Sequence, residues 1–243
     1  MELTWIISAL VLLIGCTIQT AIGFGMSIVA APIIVMIAPQ WVPYVMAIMA
    51  LFLSLSNAWH LRQDIQWSEL VSPMIARIPG TVVGTWLLII MPVMFLQIGI
   101  ALMVFLTIVI SLWAKPFAAN PTNMGIAGFV SGITGTTTSI GGPPMALVMQ
   151  HSKSNHTRAN LAVYFVFSCI VSLIGYVLAG LFTWQLLWES ISFLPCALAG
   201  FFLGKRLQAW VDSRFRPLLL TMCGVSASVA LISAIVNGTT SAN

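Results

Sequence analysis

The sequence predicts an all-α polytopic membrane protein made of two homologous halves, each a broken helical hairpin followed by three membrane-crossing helices. Three observations carry this reading. Hydrophobic residues make up 60% of the 243 and charged residues only 6%, with a mean hydropathy of +1.05, well outside the range of a water-soluble domain. Apolar runs at 42–61, 70–91, 94–113, 159–182, 186–204 and 216–236 each approach or exceed the roughly 20 residues that cross about 30 Å of hydrocarbon. Two further regions, 3–37 and 124–150, are long but interrupted. An unpaired backbone amide is costly in lipid, so the runs must be helices, and their length and period do not suit barrel strands. No basic start or small-x-small cleavage site marks the first apolar stretch, so the N-terminus is expected to be retained.

The first interrupted region is apolar over 35 residues. As one straight helix it would reach about 52 Å, too long for a single crossing. The break falls at Gly23-Phe24-Gly25, with Pro32 beyond it, because paired glycines weaken a helix and open its backbone. The second region is broken by Gly132, Gly135, the run Thr136-Thr137-Thr138-Ser139, and Gly141-Gly142-Pro143-Pro144. Each break admits two crossings, one kinked crossing or a re-entrant hairpin, and the placement of Lys and Arg separates these. With two hairpins, Arg62, Lys115, Lys153, Arg158, Lys205, Arg206, Arg214 and Arg216 all fall on one face. With two single crossings, Arg62 and Lys115 move to the other side. The hairpin arrangement is preferred. It puts the basic loops in the cytoplasm and both termini outside, with Trp5, Trp41, Trp184 and Trp188 near the outer interface and Trp59, Trp67, Trp113 and Trp210 near the inner one.

Pro79 and Pro195, Gly84 and Gly200, and Gly25 and Gly141 form pairs with a common spacing of 116 residues. The chain therefore divides into repeats at 1–118 and 119–243 within one membrane domain. An odd number of crossings after each hairpin inverts the second repeat relative to the first. Broken helices at matching places in two halves point to a transport site near the bilayer midplane. Helix N-termini ending there carry partial positive charge and favour an anion. Gly23, Gly25, Gly141 and Gly142 would bring backbone close to such a ligand. Phe24 stands beside them, and Gln19, Thr134, Thr136, Thr137, Thr138 and Ser139 offer side-chain donors. Small residues of this kind also serve simply to pack helices together.

Gly23-Phe24-Gly25 with Pro32, and Ser131-Gly132-Ile133-Thr134-Gly135 running to Ile140-Gly141-Gly142-Pro143-Pro144, resemble the TauE/SafE family of sulfite exporters over essentially the whole chain. The resemblance implies a duplicated permease that exports or takes up sulfite, sulfoacetate or another small sulfur-containing anion. Where members often carry a further glycine, this chain has Ser139.

Among single residues, Arg77 is the one basic side chain placed to lie at hydrocarbon depth, which marks it as a site candidate unless it snorkels to the headgroups. Arg158, with Asn160, opens a helix after the second break and stands either at the cavity mouth or as an inside anchor. Asn57 is a buried amide suited to a ligand or to an interhelical hydrogen bond. No carboxylate sits mid-membrane as a proton relay. Cys16, Cys169, Cys196 and Cys223 lie singly in apolar runs and read as small hydrophobes, and no metal or cofactor is expected. The net charge of +4 is spread over short loops, so no nucleic-acid partner is expected. The expected partners are a small anion and the lipid bilayer, with a homo-oligomer left open. An intramembrane hydrolase lacks a Gly-x-Ser-x-Gly elbow or a His-Glu-x-x-His helix. A membrane assembly protein without transport has no need to break two helices symmetrically.

Overall fold

The computed structural model describes residues 2–90 and 119–215, together with 217, 218, 220–222, 225 and 228. The regular elements among them are helical: α1 (Glu2–Ile22), α2 (Met26–Ile37), α3 (Tyr44–His60), α4 (Trp67–Ile90), α5 (Pro121–Thr138), α6 (Gly142–Val148), α7 (Ser154–Leu178), α8 (Trp184–Ser192) and α9 (Leu194–Asp212). Short 3-10 turns lie at Pro39–Trp41 and Arg62–Asp64. The crossing expected at 94–113, most of the one expected at 216–236, and Trp113, Lys115, Arg216 and Cys223 lie outside the described residues.

The helices wear their apolar side chains outward. On α4, Val71, Ile75, Ile78, Val82, Trp86 and Ile89 are exposed, while Leu70, Pro73, Arg77, Gly80, Thr81 and Gly84 are buried. An exterior this apolar suits lipid. Among the described residues, Leu3–Ile22, Trp67–Ile90 and Ser154–Leu178 are long and apolar enough to cross a membrane, and α8 with α9 makes a fourth, bent span. That bend corrects the expectation of one continuous crossing at 186–204: the chain turns by 43° between Ser192 and Leu194. Pro195, at the start of α9, has no N–H to continue a helix from α8 and is well accommodated in a first turn. Trp41 is buried within the protein, edge-on to Phe193 with centroids 5.2 Å apart.

At both interruptions the chain reverses. Gly23 (φ 107°) and Gly25 (φ 124°) take conformations that side-chain-bearing residues avoid, and α2 returns beside α1. There the Met26 N–H donates to Gln19 Oε1 at 3.3 Å, and Cys16 Sγ lies 3.6 Å from Met26 Sδ. In the second, Ser139 (φ 63°) ends α5 and Ser131 Oγ donates to the Gly141 carbonyl at 2.6 Å, folding α6 back on α5.

Two parallel helix pairs join the halves. Along α1 and α9, Trp5 stacks on Phe193, Cys16 meets Gly200, and the Thr20 carbonyl accepts from Gln208 Nε2 at 3.0 Å. Along α4 and α5, Ser72 donates to the Pro121 carbonyl, Gly128 meets Pro73, and Gly84 meets Gly132 and Ile133. A Cβ on Gly132 would stand 2.8 Å from the Gly80 Cα, so only glycine allows this approach. The start of α4 and the end of α9 share one face, where the Gln66 N–H donates to Asn160 Oδ1 and Arg158 pairs with Asp212. Hence α4 runs away from that face and α9 toward it, and α1 and α5, each parallel to one of them, point in opposite directions.

Candidate functional site

The two breaks meet. A Cβ on Gly142 would fall 2.7 Å from Phe24 Cδ2, so the second hairpin rests its bare backbone on the aromatic ring of the first. Around this contact lies a cavity of ≈ 60 Å³. One water needs about 10–15 Å³ by this measure, so the cavity holds a few waters or one small oxyanion. Of the candidates from sequence, Gln19, Phe24, Gly25, Arg77, Ser139, Gly141 and Gly142 line it. Gly23, Asn57 and Arg158 line a second, separate cleft that Gln19 also reaches.

Arg77 is the centre of the first cavity. It sits in the third turn of α4 and is 1% exposed, its guanidinium held inside the protein. Its Nη1 donates to the Ser131 carbonyl and, at 3.0 Å, to Ser131 Oγ, and its Nη2 donates to Ser172 Oγ at 3.1 Å. The guanidinium also faces the Tyr164 ring, with Cζ 5.9 Å from the centroid. These partners are all neutral. Among the described residues its Nε has no hydrogen-bond partner, and the ion pairs present join His156 to Asp64 and Arg158 to Asp212 instead. A buried cation without a counter-ion costs several kcal/mol. Gly135 makes room for the guanidinium, since a Cβ there would stand 2.9 Å from Nη2.

The threonines of the second break turn away from this role. Thr137 Oγ1 donates to the Ile133 and Thr134 carbonyls and Thr138 Oγ1 to Thr134, each back-bonding within α5. Thr136 Oγ1 is 3.0 Å from Ser172 Oγ and so supports an Arg77 partner from behind. Thr134 Oγ1 is buried with no partner among the described residues. Asn57 Nδ2 donates to Thr20 Oγ1 at 3.2 Å and to the Leu53 carbonyl at 3.0 Å, tying α3 to α1. Arg158 donates from Nε to the Ala21 carbonyl at 2.7 Å and from Nη1 to Asp212 at 2.6 Å. Asn160 Nδ2 donates to Glu69 and holds the start of α4.

Sequence reasoning passed over Ser168, Cys169 and Ser172 of α7, which complete the cavity wall. A signal for them exists: Asn160, Tyr164, Ser168, Ser172 and Tyr176 recur every four residues, and all five are buried. In a membrane helix, a polar stripe at this spacing marks the face turned inward.

An apolar exterior, several helices long and apolar enough to cross a membrane and an arginine-lined cavity between two reversed helices fit a multi-pass helical membrane protein. The family model for sulfite exporter TauE/SafE matches residues 7–230, nearly the whole chain. The chain belongs to the TauE/SafE family, whose members are membrane transporters of sulfur-containing anions. No curated protein and no solved structure gives a significant match.

Proposed function

We propose that the protein is a secondary transporter, an exporter or permease, which binds sulfite, sulfoacetate or another short organosulfonate at Arg77 and moves it by alternating access. The observation that carries this reading is the buried guanidinium with no counter-ion among the described residues, opening on a cavity of oxyanion size. Gly25, Ser27, Gly141 and Gly142 line the same space, so main-chain groups at both breaks stand within reach of an anion held by Arg77. The opposed directions of α1 and α5 support an inverted repeat. So do the equivalent contacts of Gly84 with Gly132 and Ile133, and of Gly200 with Cys16 and Thr17, related by the same 116-residue spacing. In such a repeat, each half rocks against the other around the fixed site.

Purified protein in liposomes tests the reading through radiolabelled sulfite flux. Arg77→Ala is expected to lower it by about 30-fold or more, the loss typical of removing one partner of a buried charge contact, with Arg77→Lys retaining part of it. Normal flux in Arg77→Ala, or uptake of cations and neutral solutes but no anion, refutes the site.

By the excess of Lys and Arg, we assign the loops at 62–69, 114–123, 151–158 and 205–216 to the cytoplasm of an inner-membrane protein with external termini. Lys153→Cys and Arg206→Cys should then resist impermeant thiol reagents in intact cells. Labelling from outside reverses the orientation.

A further inference from the structure

The cavity at Arg77 and the face that carries the basic loops are separated by a second cleft, and Gln19 lines both. This cleft is polar yet collapsed, enclosing ≈ 0 Å³. Its walls include Ser54, Asn57 and Arg158, each 5% exposed or less. Asn57 Oδ1 and Arg158 Nη2 have no hydrogen-bond partner among the described residues. Orphaned polar atoms in a dry space are costly and uncommon in a finished core. They fit a space that fills with water or ligand in another state.

Arg158 also closes this space. Its Nε holds the Ala21 carbonyl at 2.7 Å, next to the first break, and its Nη1 holds Asn155 Oδ1 at 3.2 Å and Asp212 Oδ1 at 2.6 Å. One guanidinium thus pins α7 to the end of α1 and to the end of α9. The Asp212 side chain is 41% exposed, whereas that of Arg158 is 1% exposed, so the pair reaches from the surface into the cleft. We propose that the cleft is a second anion station between the Arg77 cavity and the basic face, latched shut in this structure by Arg158–Asp212. Release of Asp212 turns the Arg158 cation toward the cleft, where it receives an anion passed along Gln19. The inference rests on Arg77 being the primary anion site.

The test uses the full chain with its native cysteines replaced and Ser54→Cys as a reporter, labelled with a small maleimide in proteoliposomes. With the latch intact, labelling is expected to be slow. Asp212→Ala should speed it by about fivefold, what the loss of one half-exposed ion pair allows, and the charge swap Arg158→Asp with Asp212→Arg should slow it again. Labelling that is unchanged by Asp212→Ala overturns the latch. In parallel, Arg158→Gln should lower sulfite flux and Arg158→Lys should restore part of it. Equal loss in both makes Arg158 a packing residue and overturns the station. Arg77→Ala keeps the two ideas apart. Normal flux there with Asp212→Ala still opening the cleft removes the primary site and leaves the latch, while lost flux with an unresponsive cleft does the opposite.

Discussion

Arg77 and Phe193 stand 116 residues apart, each two residues before the proline of a Pro-to-Gly pair. Their surroundings have nothing in common. Arg77 donates to Ser131 and Ser172 at the edge of a cavity. Phe193 is fully buried, stacked on Trp5 at 5.4 Å and edge-on to Trp41 at 5.2 Å. On the inverted repeat proposed above, one position holds a charge and its counterpart packs aromatic rings. The helices differ as well. α4 runs unbroken through Pro79, whereas α8 and α9 bend ahead of Pro195. Beside Pro79, Gly80, Gly128 and Gly132 bring the backbones of α4 and α5 together; at the same 116-residue offset stand Cys196, Leu12 and Cys16, and α9 meets α1 instead at Gly200 and Gly204.

The strongest way to break this comparison is to exchange the consequences of the two residues. Arg77→Met removes the charge and leaves Ser131 Oγ on the Gly141 carbonyl and Ser172 on Thr136. Sulfite flux should fall by about 30-fold or more while the thermal midpoint holds or rises, since replacing a buried ion with an apolar chain is often neutral or stabilising. Phe193→Ala should do the reverse, destabilising by about 3–5 kcal/mol with flux per folded molecule retained. Flux and thermal unfolding on both variants decide it; an unfolded Arg77→Met protein would make Arg77 a structural residue like its counterpart.

A smaller effect sharpens the contrast between the two breaks. Gly25 needs its positive φ, and a side chain there would also meet Ile18 and Met222 at 3.1 Å, whereas Gly141 has an ordinary φ of −92° and a side chain there would meet Ser131 and Gly135 at 3.0 Å. Gly25→Leu and Gly141→Leu should both abolish sulfite transport with membrane insertion intact. Gly25→Ala should retain less stability than Gly141→Ala by about 1 kcal/mol, the left-handed penalty. Equal stabilities of the two alanine variants, read from thermal unfolding in detergent, would dismiss backbone strain as the difference.

Much of this was legible before any coordinates. Glycine pairs inside apolar runs give breaks because backbone must reverse where side chains are absent, and a lone arginine between apolar runs is rare enough to mark a site. What the sequence hides is depth and direction. Arg77 and Arg158 look alike as letters, yet one faces neutral hydroxyls and the other an aspartate 54 residues away. Asp212 belongs to a helix that sequence spacing alone does not bring beside Arg158. The hydroxyls of Thr136 to Ser139 are similarly ambiguous, because a serine or threonine in a helix bonds either a ligand or its own preceding turn. Ser168, Cys169 and Ser172 were missed because α7 is unbroken, and attention to breaks overlooks a polar stripe on an intact helix.

The smallest effect concerns how each half makes its reversal. The first uses Gly23 and Gly25 at positive φ, at no steric cost, while the second uses Ser139 at φ 63°. A serine there costs roughly 1–2 kcal/mol against the right-handed region. Its compensation is a single hydrogen bond from Oγ to the Pro43 carbonyl at 3.3 Å, long enough to contribute little. Ser139→Gly removes both terms and also frees the unfolded chain, which takes back about 0.5–1 kcal/mol. The balance should be a gain of under about 1 kcal/mol, a rise of a few degrees in thermal midpoint, with sulfite flux unchanged because Arg77 and Gly141 keep their places. A clear loss of stability in Ser139→Gly would mean that the Pro43 bond, joining the second break to the start of α3, outweighs the strain, and that the second reversal depends on the side chain of its positive-φ residue, where the first puts glycines in that conformation.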